Sequence, residues 1–350
     1  MTLSRQKFKD IDLSDPFFDS LKKDYEEFPT WFAKKAEDHA YVFYGDDDKS
    51  IEGFLYLKRE DGPLTDVTPA LPAAIRIKVG TMKINPHGTR LGERFLKKIF
   101  DHAITEGAKE VYVTVFEKHS ALVALFERYG FVKASTKTTK NGTELVLVKE
   151  MLVDKGSTLE RYPLVKLGTQ AIYLLSIKPI WHTRLLPDSI LKSEDASIVM
   201  DVSHTNSIHK VYLAGMRGMG RIQVGDVILI YRTTDNLGPA RYRSVATSVA
   251  VVEESRHIST FPDINAFIRY CQPYSVFELD ELKSLWETQD YPHVLRFTYN
   301  FALPKRITRG KMIDAMGFDP NEYWGLMRLS KKQLRDVLFA AGLDENLVID

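Results

Sequence analysis

Apolar positions recur at two spacings along this chain, and the switches between them mark its elements. Leu91, Phe95 and Ile99 repeat at helical spacing, with Leu96, Phe100 and Ala103 beside them, which predicts an amphipathic helix. Arg94, Lys97, Lys98 and Asp101 are expected on its outward face. A second helix is expected in "SALVALFERYG", where Leu122, Leu125, Phe126 and Tyr129 share one side. "PAAIRIKVGTMKI" and "EVYVTVF" read as strands. "YVFYGDDDKSIEGFLYLKRE" reads as a hairpin around an Asp-rich turn, and "FVKASTKTTKNGTELVLVKEM" as a hairpin around Asn141 and Gly142. Nearer the start, Phe17, Phe18, Leu21, Tyr25 and Phe28 fall at helical spacing, with Pro29 expected to end one helix and Trp31 to open another.

After "VDKGSTLERYP" the texture changes. Strand-like runs dominate ("AIYLLSIK", "ASIVMDV", "GDVILIYRT", "YRSVATSVAVVEE", "HVLRFTYNF"), separated by short helices in "DINAFIRYC" and "FELDELKSLWET". A last helix starts at Ser330, whose capping box closes on Gln333, and stops at Gly342. The expected organisation is therefore an α/β (α+β) domain over residues 1–152, then a β-barrel domain with added helices over 160–350. No internal repeat interrupts this order.

Composition narrows the function classes. The formal net charge is +1 over 350 residues, so no global field draws in nucleic acid or anionic lipid. The lone Cys271 excludes an intrachain disulfide or a cysteine zinc cluster; it reads as a small buried hydrophobe in a reducing compartment. His204 and His209 have no third ligand at metal spacing, so no metal site is expected. The absence of a long apolar run points to a soluble, cytoplasmic protein with no membrane partner.

Local chemistry concentrates at "INPHGTRLGERFLKKIF", a strand end, a polar loop and a helix start. Free N–H groups at a helix start suit a phosphate. Arg76, Lys78, Lys83, Arg90, Arg94, Lys97 and Lys98 surround this stretch against the single acid Glu93, a local patch suited to a polyphosphate cofactor.

This order of elements, over about residues 10–150, resembles the GNAT family of N-acetyltransferases. In that family the loop reads Arg or Gln, two residues, Gly, one residue, Gly or Ala, and its amides hold the pyrophosphate of acetyl-CoA. In "HGTRLG" His87 replaces the Arg or Gln, Arg90 replaces the first Gly, and Gly92 is kept. The resemblance implies acetyl-CoA as co-substrate, held by Lys83, Ile84, His87, Gly88, Thr89, Arg90, Leu91, Gly92, Glu93 and Phe126. "EVYVTVFEKHSALVALFERYGF" matches the family's second signature, a strand, a splayed gap and a helix ending in "YGF". Phe126 stands where members often carry a general-acid Tyr, and His119 where an Asn often opens the helix. His119, whose imidazole can relay a proton, and Tyr129 are the catalytic candidates. Asp24, Glu26, Glu27 and Asp46 to Asp48 are candidates to hold a cationic amine.

"IQVGDVILIYRTTDN" resembles the barrel of the PUA-like group, which includes the ASCH and EVE families, over about residues 160–260. That resemblance implies RNA or modified-base binding in a cleft, with Lys210, Arg217, Arg232, Arg241, Tyr242 and Arg243 as RNA-binding residues. His204, Asn206, His209, Tyr212 and Arg221 are further candidates near them. Together the two halves imply an acetyl-CoA-dependent N-acetyltransferase brought to RNA or tRNA, or to an RNA-associated amine. The alternatives are a protein or small-molecule N-acetyltransferase whose barrel is a scaffold or homodimer surface, and a non-catalytic sensor of CoA or nucleotide.

Overall fold

The computed structural model describes residues 2–45, 50–85, 91–186 and 207–350. The chain divides into two compact units, Met1–Tyr162 and Pro163–Asp350.

The first unit is a seven-stranded sheet in the order β1-β2-β3-β4-β5-β7-β6. Its strands are β1 (Thr2–Lys7), β2 (His39–Tyr44), β3 (Ile51–Leu64), β4 (Leu71–Ile84), β5 (Glu110–Val115), β6 (Val132–Thr139) and β7 (Gly142–Glu150). Only β4 and β5 run parallel. The crossover that joins them is α3 (Leu91–Thr105), as a parallel pair requires. Helices α1 (Asp19–Asp24) and α2 (Phe28–Lys34) precede β2, and α4 (Ser120–Arg128) links β5 to β6.

Alternation along β2 and β3 sends side chains to two covered faces. Val42, Phe54 and Tyr56 join Phe8, Phe18, Phe28 and Phe32 in an aromatic cluster under α1 and α2. Phe43 points the other way, beneath α3, with the Arg94 guanidinium 4.6 Å from its ring centre. The apolar stripe of α3 is buried as its periodicity predicts. Two residues expected on its outward face are not outside: Arg94 and Lys97 are both buried. Arg94 lies over the Phe43 ring, and Lys97 keeps a counter-charge in Asp101 one turn on at 2.6 Å. Pro29 also differs from expectation. It lies in the first turn of α2, where its missing N–H has no intrahelical role, and so opens that helix. Residues 153–162 stay with this unit. Tyr162 packs 5.5 Å from the Phe100 ring, and Lys149 Nζ donates to the Glu160 carbonyl at 2.5 Å.

The second unit carries a six-stranded mixed sheet in the order β10-β13-β12-β11-β9-β14. These are β9 (Ile172–Ile177), β10 (His209–Ala214), β11 (Val227–Arg232), β12 (Val245–His257), β13 (His293–Thr308) and β14 (Leu326–Leu329); β8 (Val165–Lys166) pairs separately with β15 (Val348–Ile349). Three register shifts between β12 and β13 bend these long strands, as bulges do. Side chains from β9, β10, β11, β12 and β13 then enclose one core with Phe267, Cys271 and Leu282. The added helices are α5 (Pro179–Leu185), α6 (Ala240–Arg243), α7 (Ile264–Cys271), α8 (Leu279–Thr288), α9 (Arg309–Met316) and α10 (Lys331–Ala341). A strand-rich unit with added helices is what the pattern of the second half predicts, and the described strands of its main sheet run in one six-stranded order. Asp226 fixes the Gly-Asp turn into β11 by accepting from the Ala171 and Gln223 amides, and the capping box of Ser330 and Gln333 opens α10. The expected strand "ASIVMDV" lies outside the described residues.

Candidate active site

The first unit's sheet comes apart in the middle. β4 and β5 pair from Arg76 opposite Glu110 to Val79 opposite Val113, and no further. Both strands continue, but each only with its outer neighbour: β4 with β3 as far as Ile84, and β5 with β7 as far as Val115. The parting has a local cause. Leu57 faces Val79 while the next residue, Tyr56, faces Thr81, so Gly80 is an extra residue in β4. Such a bulge bends its strand and ends pairing on one side. Only glycine fits there, because a Cβ at residue 80 would lie 2.6 Å from Tyr56 Cδ1. The result is a parting of the two strands, a cleft between them: residues 81–84 keep their pairing with β3, and the backbone groups of alternate residues on the other side of β4 are not paired by β5.

The other end of the same strand pair is clamped. Arg76, buried, donates to Glu110 at 2.6 Å and to the Gly62 and Pro72 carbonyls at 2.9 and 2.7 Å. A polar hollow of about 360 Å³ lined by residues 58–64 and Arg76 sits at this closed end, away from the cleft.

At the open end β4 leads towards α3. Gly92 lies in the first turn of α3, where a Cβ would meet Leu125 Cδ2 of α4 at 2.7 Å. Glu93 is held within this turn, 3.8 Å from Arg128 of α4. Of the residues expected to hold acetyl-CoA, Ile84 ends β4, and Leu91, Gly92 and Glu93 form the first turn of α3. His87, Gly88, Thr89 and Arg90 lie outside the described residues. Lys83 turns to the far face, where Nζ donates to the Phe17 carbonyl and sits over the Phe17 ring. Burial holds its pKa below the usual lysine value. Phe126 is core, packed on Phe131 at 4.8 Å. The expected basic patch is dispersed: Arg76, Arg94 and Lys97 are buried and Lys83 is engaged.

His119 stands just past the end of β5, half-exposed, with Nε2 3.2 Å from Asp24 Oδ2. Lys118 Nζ is 2.5 Å from the other oxygen of that carboxylate. Burial pushes the Asp24 pKa up, but these two bases outweigh it and hold the carboxyl below its usual value. Tyr129 does not reach the cleft. It is fully buried, 6.3 Å from Phe100 and 6.4 Å from Tyr162, near Lys149. Lys149 pairs with Val111, four positions before the end of β5 at Val115. A core tyrosine with no access to the cleft cannot protonate a group bound there.

The turn between α1 and α2 roofs the far side. Tyr25 stacks on Phe116 at 5.4 Å and donates to Glu144 Oε1 of β7 at 2.7 Å. Glu27 takes the Asn141 amide at 2.9 Å, and Lys140 pairs with Glu26 at 3.1 Å. Asp24, Glu26 and Glu27, read as an amine-binding set, are thus already engaged. Asp46 to Asp48 lie outside the described residues. Gly80, Tyr25 and Glu144 were missed by sequence reasoning. A glycine inside a strand run was the one available signal for the bulge.

The RNA-binding candidates of the second unit do not form one surface. Lys210 and Arg232 are buried, Lys210 within 5.7 Å of the Tyr299 ring centre. Arg241 pairs with Asp314 at 2.5 Å, and Arg243 grips both oxygens of Asp235. Arg217 and Tyr242 are exposed. His209 Nδ1 lies 2.6 Å from Glu253, and His204 and Asn206 lie outside the described residues. Cys271 is buried, and burial pushes its thiol pKa up. Among the described residues no group of three His, Cys, Asp or Glu could hold a metal ion, and no helix is long and apolar enough to cross a membrane.

No family model matches the sequence, and no curated protein matches it. Solved structures do. The NatC complex bound to Gag peptide and CoA contains a chain matched at 16% identity over 42% of this chain and 98% of that one, with a TM-score of 0.29. An IAA acetyltransferase from Bacillus cereus is matched at 16% identity over 43% and 98%, TM-score 0.33. An ASCH protein from Zymomonas mobilis is matched at 11% identity over 48% and 95%, TM-score 0.31.

Proposed function

We propose that the first unit is an acetyl-CoA-dependent N-acetyltransferase whose cleft lies between β4 and β5. The observation that carries this reading is the parting of two parallel strands at Gly80, with a helix start beyond the free edge. An amide-bearing arm can add to such an edge as a short strand does, by main-chain hydrogen bonds from alternate residues among 81–84. The first turn of α3 offers free N–H groups to a pyrophosphate, and Gly92 keeps that turn against α4. Bound acetyl-CoA supplies a thioester whose carbonyl a neutral amine attacks, releasing the thiol. The chain positions the reactants and turns edge N–H groups towards the developing oxyanion. His119, at the mouth of the cleft, is the group placed to move a proton, while Asp24 orients its ring.

Calorimetric titration with acetyl-CoA tests the reading. The native protein should bind and Gly92→Trp should not, because the indole would displace Leu125 and block the helix start. A folded native protein that binds no acetyl-CoA overturns it, and binding without transfer to any amine would favour the sensor reading.

The finer reading is that the second unit brings this activity to RNA. It rests on Arg217 and Tyr242, the exposed members of the set. Filter retention of RNA at low salt should fall in Arg217→Ala with Tyr242→Ala. Unchanged retention, or none in the native protein, leaves a transferase for proteins or small amines.

A further inference from the structure

Glu144 is a carboxylate out of place. It is 4% exposed, yet among the described residues its one partner is the Tyr25 hydroxyl on Oε1 and no base lies within ion-pair distance of it. A buried carboxylate ordinarily has a counter-charge. Lys137, directly across from Glu144 on β6, is taken by Asp66 at 2.6 Å; Lys140 pairs with Glu26 and Glu27 at 3.1 and 3.5 Å, and Lys118 with Asp24 at 2.5 Å. Tyr25 is in turn fixed by its stacking on Phe116, and burial together with Glu144 raises its pKa, so it stays a neutral donor.

Register sets this carboxylate beside the cleft. Leu145 faces Val115, the last residue of β5, and Val146 faces Thr114. Side chains alternate along β7, so Glu144 shares the face of Val146, Val148 and Tyr112, opposite to Leu145. Neighbouring strands lie about 5 Å apart, so β7 is about 10 Å from β4 across β5, and more where the strands diverge. A thioester lodged between β4 and β5 would therefore sit roughly one strand spacing from Glu144. That separation is too large for contact with the reacting nitrogen and suits a second group on the same acceptor.

We propose that Glu144 binds a second cationic group of the amine acceptor, so that the acceptor is a diamine, a polyamine or a basic chain end with two nitrogens about four carbons apart. This inference rests on the transferase reading. The free oxygen of Glu144 accepts the distal ammonium, Tyr25 holds the carboxylate in place, and the proximal amine faces the thioester. Hydrogen bonds to a charged partner are the stronger class, so the second charge raises kcat/KM tenfold or more.

The test compares 1,4-diaminobutane with 1-aminobutane, and a peptide bearing Lys beside its free α-amine with the same peptide bearing norleucine. Transfer is measured with acetyl-CoA, alongside calorimetric binding of diaminobutane to the CoA-saturated protein. The native protein should prefer the dication of at least one pair tenfold or more, mostly through KM; which pair responds separates small polyamines from chain ends. Glu144→Gln keeps an oxygen for the Tyr25 hydroxyl, so its Tm and its acetyl-CoA binding should match the native protein while the preference collapses towards one. Equal rates for both members of each pair, a preference that survives Glu144→Gln, or CoA binding with neither binding nor turnover of the diamine would overturn this inference and leave the transferase reading standing. Failure to bind acetyl-CoA would instead remove the transferase reading.

Discussion

Gly80→Ala is the sharpest perturbation of the cleft. The added methyl carbon would lie 2.6 Å from Tyr56 Cδ1 and 3.1 Å from Cε1, against the 3.5–4 Å of an ordinary carbon contact, so ring or strand must move by about 1 Å. The ring has little freedom. It meets Phe8 at 5.1 Å and Trp31 at 5.7 Å, both edge-on, and its hydroxyl donates to Asp38 at 2.7 Å. Overpacking of this kind costs about 1–3 kcal/mol. For a unit of this size the melting temperature should drop by roughly 3–10 °C. If β4 moves instead, its edge shifts relative to β5 and acetyl-CoA affinity should fall about tenfold, near 1.4 kcal/mol. Urea unfolding and calorimetry read the two effects separately. A double-mutant cycle isolates the cause: with Tyr56→Leu already present, Gly80→Ala should cost at least about 1 kcal/mol less than in the native background. Full additivity, or a Gly80→Ala protein with native stability and native affinity, would refute the claim that the Tyr56 ring requires glycine there.

Two further outcomes follow from buried charges. His182 is fully buried, with Nε2 2.8 Å from Thr247 Oγ1, and burial beside Arg232 and Arg306 holds its pKa down at about 3. Below about pH 6.5 the unfolded chain takes up a proton that the native state refuses, so stability should fall by about 1.4 kcal/mol per pH unit from 6.5 towards 3. His182→Asn should remove that part of the slope in urea unfolding at pH 7 and pH 5; identical slopes in both proteins would count against it. Arg76→Leu leaves Glu110 and two carbonyls without their donor and should cost about 3–5 kcal/mol, measured the same way. Arg76→Lys should recover little, since one ammonium cannot serve three acceptors in a fork; near-native stability would contradict the clamp.

Legibility in the sequence tracked the range of the physics involved. The stripe from Leu91 to Ala103, the turn at Asn141 and Gly142, and the capping box at Ser330 are local patterns, and each element stands where its pattern puts it. The outward face of α3 misled because burial of Arg94 depends on Phe43, a residue on another element. The arginines of the second half misled for the same reason, since Arg241 finds its acid 73 positions away. In the first unit the candidate loop could be read from glycines and charge, but the cleft could not. It needs the register of Tyr56 against Thr81, and Glu144 needs Tyr25, 119 positions earlier. Periodicity reports which side of an element is apolar. It carries no information on which strand stops pairing with which, or on where a carboxylate lacks a cation.

Two half-paired strands facing each other inside a sheet are also a hazard. Their free main-chain groups invite an extended segment from another molecule, the route by which open sheet edges seed aggregates and domain swaps. The bulge at Gly80 answers this as well as opening the cleft. It breaks the regular spacing of donors and acceptors at the cleft's inner end, and the clamp from Arg76 to Glu110 stops an invading strand from peeling the pair further apart. What remains unpaired by β5 is one side of residues 81–84, too short to template a long strand.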